Sequence, residues 1–175
     1  MLLNQTPDNK ILFLDESRFG TRSKLGHGWF ERGTRTQVKV KLGFQNFYLY
    51  SAVSPITGEA FSYIIPKCNT LCMNFFLKEL SKEFSNEKLT IIMDGAGWHK
   101  SKSLVVPKNI RIIYLPPYAP ELNPVERLWQ YIKQTTVKNK VYESLDDPED
   151  RVSEFINSIT VDRFRQVCSA DYLFS

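Results

Sequence analysis

The chain has 175 residues, 42% hydrophobic and 24% charged, with a formal net charge of +4 and a pI near 8.9. That balance is ordinary for one globular domain with a sizeable core, and it excludes a chain disordered along its length. No apolar run approaches the ~18 residues of a membrane span, and the first residues lack the basic and apolar regions of a signal peptide. A cytoplasmic protein with no membrane partner is expected. Cys68, Cys72 and Cys168 are an odd number with no disulfide pattern, so reduced structural thiols are expected. A zinc site begun by Cys68 and Cys72 would have only Cys168, His27 and His99 to complete it.

Ile11-Leu-Phe-Leu-Asp-Glu16 reads as a buried strand ending in two acids, with Phe13 and Asp15 on one face and Leu14 and Glu16 on the other. From Arg18 to Lys41 the chain reads as a basic loop, with a short hairpin over Gln37–Lys41. Arg18, Arg22, Lys24, Arg32, Arg35, Lys39 and Lys41 face a single acid, Glu31, a net of +6. Such a loop, carrying Trp29 and Phe30, is either a solvated surface or one that tracks phosphates. Two aromatic, β-branched runs around Ser54-Pro-Ile-Thr-Gly58 predict an antiparallel hairpin. Thr70 to Phe84 changes to helical spacing, with Met73, Phe76, Leu77 and Leu80 inward and Thr70 as cap.

Leu89-Thr-Ile-Ile-Met-Asp94 is a second strand ending in an acid, followed by a short helix, and Ile110–Leu115 is a further strand. Four of the nine prolines then fall between Pro116 and Pro124, which holds that stretch extended. Asn123, Pro124 and Glu126 have the spacing of a cap, a first helical position and a capping box. On the helix that follows, Val125, Trp129 and Ile132 share the core side. Two C-terminal helices complete the chain, one beginning at Asp147-Pro-Glu-Asp and one capped by Thr160.

Three strands followed by alternating helix and strand predict an α/β fold, one mixed five-stranded sheet with helices on both faces. If the first and fourth strands pair, Asp15 and Asp94 become neighbours, and the helix after the fifth strand can bring Glu126 to them. Carboxylates ~4 Å apart repel by roughly 4 kcal/mol per pair at an effective dielectric of 20, so such a cluster calls for cations between them. Oxygen-only ligands with open positions suit Mg²⁺ or Mn²⁺, and two such ions serve in-line phosphodiester displacement.

Leu14-Asp-Glu16, Met93-Asp-Gly-Ala-Gly-Trp-His-Lys-Ser101 and Leu115-Pro-Pro-Tyr-Ala-Pro-Glu-Leu-Asn-Pro-Val-Glu-Arg-Leu-Trp129 together resemble the catalytic domain of bacterial insertion-sequence transposases of the Tc/mariner superfamily. The resemblance runs from about residue 10 to residue 140, and its third motif is the most specific. It implies an RNase H-like fold and a DDE triad of metal ligands, Asp15, Asp94 and Glu126, with 31 residues between the last two, holding two Mg²⁺ or Mn²⁺ ions. It makes Glu16, His99 and Asn123 candidates to support the ligands or touch substrate. Lys100, Arg127 and Lys133 join the basic loop as candidates to touch DNA.

By the same resemblance the activity is DNA cleavage and strand transfer during transposition, by a homodimer on element ends and target, at the nucleoid. A single domain over 1–175 is expected, with 18–41 as a basic insertion and the C-terminal helices over 141–175. Members of the family carry a helix-turn-helix region ahead of the catalytic domain. The first strand here begins by Ile11, so a split or frameshifted frame with a separate helix-turn-helix partner chain, or a truncated relic, is expected. Three other readings stay open: a nuclease or resolvase without strand transfer, an inert DNA-binding remnant, and a structural interaction module.

Overall fold

The computed structural model describes residues 9–20, 45–137 and 144–170. Its centre is strand β1 (Asn9–Gly20), which lies in the middle of a five-stranded sheet of order β3-β2-β1-β4-β5. On one side β2 (Asn46–Val53) pairs antiparallel with β1, from Phe13–Val53 to Gly20–Asn46, and β3 (Ala60–Ile65) continues the hairpin. On the other side β4 (Lys88–Met93) runs parallel to β1 from Asn9–Lys88 to Phe13–Ile92, and β5 (Ile110–Tyr114) runs parallel to β4. This is the mixed sheet of an RNase H-like fold.

Strand alternation divides the core between the two faces. Leu12, Leu14, Tyr50, Ile91 and Met93 pack with Met73, Phe76, Leu77 and Leu80 of α1 (Thr70–Glu83). On the opposite face Ile11, Phe13, Phe47 and Leu49 meet Leu128 and Ile132 of α2 (Val125–Ile132), Val152 of α3 (Asp146–Ser158) and Phe164 of α4 (Val161–Val167). Thr160 caps α4 as its spacing predicts, accepting from Arg163 N–H at 3.3 Å. Gly58 makes the β2–β3 turn with φ 78°, and a Cβ there would lie 2.2 Å from Val161 O, so the turn needs both its freedom and its bareness. All three cysteines are free thiols.

Four local expectations are corrected. β1 does not end at its acids: Ser17 and Phe19 are buried, Phe19 stacks on Phe47 at 5.6 Å, and pairing with β2 carries the strand to Gly20. Residues 95–101 form a turn instead of a short helix: two i to i+3 bonds (His99 N to Ala96 O, Lys100 N to Gly97 O) stop at Lys100, too few to nucleate a helix in a stretch holding Gly95 and Gly97. Asn69, not Thr70, caps α1, accepting from Cys72 N–H at 2.9 Å, while the Thr70 hydroxyl donates to Trp98 O. The capping box before α2 does not close, since the Asn123 N–H that Glu126 would have bound goes to Pro120 O at 2.9 Å. The basic positions Arg22, Lys24, Arg32, Arg35, Lys39 and Lys41, and the hairpin expected at 37–41, lie outside the described residues.

Candidate active site

The site forms where β1 and β4 stop pairing. Their last parallel pair is Phe13 with Ile92, and two residues further on stand Asp15 and Asp94, so both acids emerge at one level of the sheet. β5 ends at the same level, Leu115 N–H donating to Met93 O at 2.8 Å, and the proline loop turns back across this edge to start α2. A short 3-10 turn, Pro120–Leu122, leads to Asn123, whose buried amide ties helix to sheet. Its Nδ2 donates to Leu14 O at 3.1 Å and its Oδ1 accepts from Val125 N–H at 3.2 Å. The first turn of α2 is thereby fixed against the peptide that precedes Asp15.

One cavity of about 380 Å³ results, lined by Asp15, Asp94 and Glu126 together with Gly95, Lys100, Asn123 and the whole loop from Leu115 to Pro120. Three acids from three separate elements, far apart in sequence, open into one space.

Their environments differ. Asp15 is pushed up to about 7, first by burial and then by the charges of Glu16 and Glu126, against the opposing hydrogen bond from Trp129. That bond, Trp129 Nε1–H to Asp15 Oδ2 at 2.7 Å, is a contact that reading Trp129 as a core residue misses. The available signal was its spacing: Trp129 lies three residues after Glu126, so one helix can place both over β1.

Asp94 has a side chain 59% exposed and turns aside, its Oδ1 lying 2.6 Å from His99 Nδ1 and accepting from Ala96 N–H at 3.1 Å. His99 is buried and also meets Glu16 Oε1 through Nε2 at 3.0 Å, so it bridges an acid on each strand. Burial opposes its charge, but the hydrogen bond His99 donates to Glu16 and the charges of Glu16 and Asp94 prevail, holding the imidazole above its ordinary value. Tyr114 Oη–H fixes the His99 carbonyl at 2.6 Å. Glu16 does not line the cavity, and His99 links it to Asp94, which does.

Among the candidate cations, Lys100 lines the cavity, its ammonium 5.2 Å from the Tyr114 ring centroid and close over Gly95, and Arg18 is exposed on β1. Arg127 donates to Ser169 O and Lys133 to Ser17 Oγ, so both are engaged within the domain. As placed, no three His, Cys, Asp or Glu side chains among the described residues stand close enough to chelate an ion. The donor set still fits a hard divalent cation: three carboxylates line one cavity, and one of them, Asp15, is largely enclosed under the charges of Glu126 and of one further acid, Glu16.

The family model for DDE superfamily endonucleases matches residues 10–147. The chain belongs to that family. An uncharacterized protein of Sinorhizobium fredii is 37% identical over 101 residues, covering 57% of this chain and 75% of that protein. The insertion element IS630 uncharacterized 39 kDa protein of Shigella sonnei is 27% identical over 158 residues, covering 87% of this chain and 46% of that protein.

The solved Mos1 mariner paired-end complex with Mn superposes with a TM-score of 0.74 at 12% identity, over 94% of this chain and 52% of that one. The catalytic domain of Mos1 mariner transposase superposes at 0.65 and 11%, over 94% and 76%. The chain spans about half the length of the Shigella sonnei relative and of the Mos1 chain in its paired-end complex.

Proposed function

We propose that the domain cleaves DNA phosphodiester bonds and transfers the resulting ends during transposition, with Asp15, Asp94 and Glu126 together holding divalent metal, two Mg²⁺ or Mn²⁺ ions. The observation that carries the reading is the convergence of these three acids on one cavity in a chain of the DDE superfamily. When bound, a pair of such ions activates the attacking oxygen and stabilises the leaving one.

The chain's own residues prepare that site. Trp129 and Asn123 hold Asp15 and the start of α2 in register, so Glu126 faces Asp15 without a helix-capping duty. His99 steadies Asp94, whose exposed carboxylate has to turn from Nδ1 into the cavity to join the other two. Lys100 supplies a cation at the wall for the substrate phosphate. Arg18 leads toward the basic segment that would track the flanking backbone through phosphates.

The test is cleavage of end-labelled element DNA with Mg²⁺ or Mn²⁺, followed by joining to a supercoiled target. Cleavage and joining are expected from the wild-type domain. Asp94→Asn and Glu126→Gln should each lose at least about 100-fold, the upper scale for removing even a ligand's supporting partner. Cleavage that persists in both variants would contradict the site. Cleavage that depends on both acids but never joins ends would make the domain a nuclease.

A further inference from the structure

Among the described residues, Tyr118 alone apart from glycine has a positive φ, 59°, and its side chain is fully exposed at 101%. It forms no hydrogen bond, ion pair or ring contact with another described residue. An L residue in this left-handed region is strained relative to glycine, and an aromatic ring left wholly in water returns nothing to the fold. Stability therefore does not explain a tyrosine here. Prolines 116, 117 and 120 surround it, so its φ belongs to a stiff loop whose flanks have little freedom. That loop forms the cavity wall facing Asp15, Asp94 and Glu126, with Lys100 also in the lining.

We propose that Tyr118 stacks on an unpaired nucleobase next to the phosphate held in this cavity. The inference rests on the DNA-cleaving reading above and adds a substrate requirement to it. An unpartnered π face carried on a stiff loop beside a phosphate site fits a base, because every base presents a π face whatever its sequence. Bases inside a paired duplex keep those faces stacked on their neighbours. A free face exists only where the duplex is frayed, bulged or opened, so the preferred DNA carries at least one unpaired base beside the scissile bond.

The experiment uses the full chain carrying Glu126→Gln, with Mn²⁺ present, and two DNA duplexes differing only in pairing at the nucleotide next to the scissile phosphate. That nucleotide is 2-aminopurine, whose fluorescence reports stacking. Tyr118→Ala and Tyr118→Gly should weaken binding of the unpaired substrate on the order of 10- to 100-fold and abolish the 2-aminopurine signal. Binding of the fully paired duplex should change less than about twofold, since phosphate contacts are untouched.

Tyr118→Trp and Tyr118→Phe should keep both the affinity and the signal. Tyr118→Gly should also melt about 2–4 °C above Tyr118→Ala, because glycine relieves the positive φ, which shows the loop is intact. If Tyr118→Ala binds the unpaired substrate as tightly as Tyr118 does, or loses both substrates equally, stacking is overturned. The two readings fail separately: loss of cleavage in Asp94→Asn with no effect of Tyr118→Ala removes the stacking role alone.

Discussion

Two positions on β1, Lys10 near its start and Asp15 at its middle, treat buried charge in opposite ways. At Lys10 the side chain is only 9% exposed, and its ammonium meets Glu59 at 2.7 Å and Glu87 at 2.9 Å and lies 4.4 Å from the Phe84 ring centroid. Five residues later Asp15 is largely enclosed with a single side-chain donor, Trp129, and with Glu16 and Glu126 as its charged neighbours. Burial lowers Lys10, but its two acids outweigh that and hold it above its ordinary value, and Lys10 holds Glu59 below the usual carboxylate value. Asp15 is instead pushed up to about 7. One charge is answered inside the protein. The other is not, and under the proposed function a divalent cation would supply the missing partner.

The comparison has its largest consequence at Asp15. A carboxyl raised from 3.8 to about 7 favours the fold most while it is protonated, below its unfolded value, and loses that contribution as pH rises through about 7. In chelator at pH 8, Asp15→Asn should therefore be more stable than wild type, by at most about 4 kcal/mol. The gain should shrink to near zero by about pH 4. Urea melts at several pH values measure it, and a pH-independent or destabilising Asp15→Asn would break the contrast.

Lys10→Met should act in the opposite direction, costing about 1–2 kcal/mol at pH 7 through lost cation–π contact and two unpaired acids, which are partly solvated and so soften the loss. Glu59→Gln should have the smallest effect, under about 1 kcal/mol, because Glu59 is 41% exposed. Its effect should vanish in acid. A depressed carboxyl contributes above its unfolded value of 4.5 and loses that contribution as pH falls through its lower folded value. A Glu59→Gln penalty that grows in acid would contradict the assignment.

Much of the site was legible because its acids stand after apolar runs and at a helix start, which local periodicity and proline placement reveal. Asp15 and Asp94 follow apolar runs, and the four prolines announce that Glu126 is delivered by a stiff loop. The faces of Leu14 and Phe13 followed from alternation alone. What stayed hidden depends on partners distant in sequence. Asn123 looks like a cap, but half its amide serves Leu14 O, 109 residues away. Trp129 looks like core and also holds Asp15, 114 residues away. The end of β1 was misjudged because Arg18 and Gly20 read as loop, while pairing with Tyr48 and Asn46 across the sheet decides the matter. The left-handed φ of Tyr118 is likewise invisible in a run of prolines that suggests only extension.

The most direct measurement is Mn²⁺ binding by titration calorimetry at pH 8, paired with thermal melts in chelator and in millimolar Mn²⁺. Wild type should bind and be stabilised by about 2.7 kcal/mol once Mn²⁺ exceeds Kd by 100-fold. Asp15→Asn, Asp94→Asn and Glu126→Gln should each remove most of that gain while their chelator-treated forms stay folded. Superimposable melts of the wild type in chelator and in Mn²⁺, with no binding heat, would contradict the claim that these three acids form one metal site.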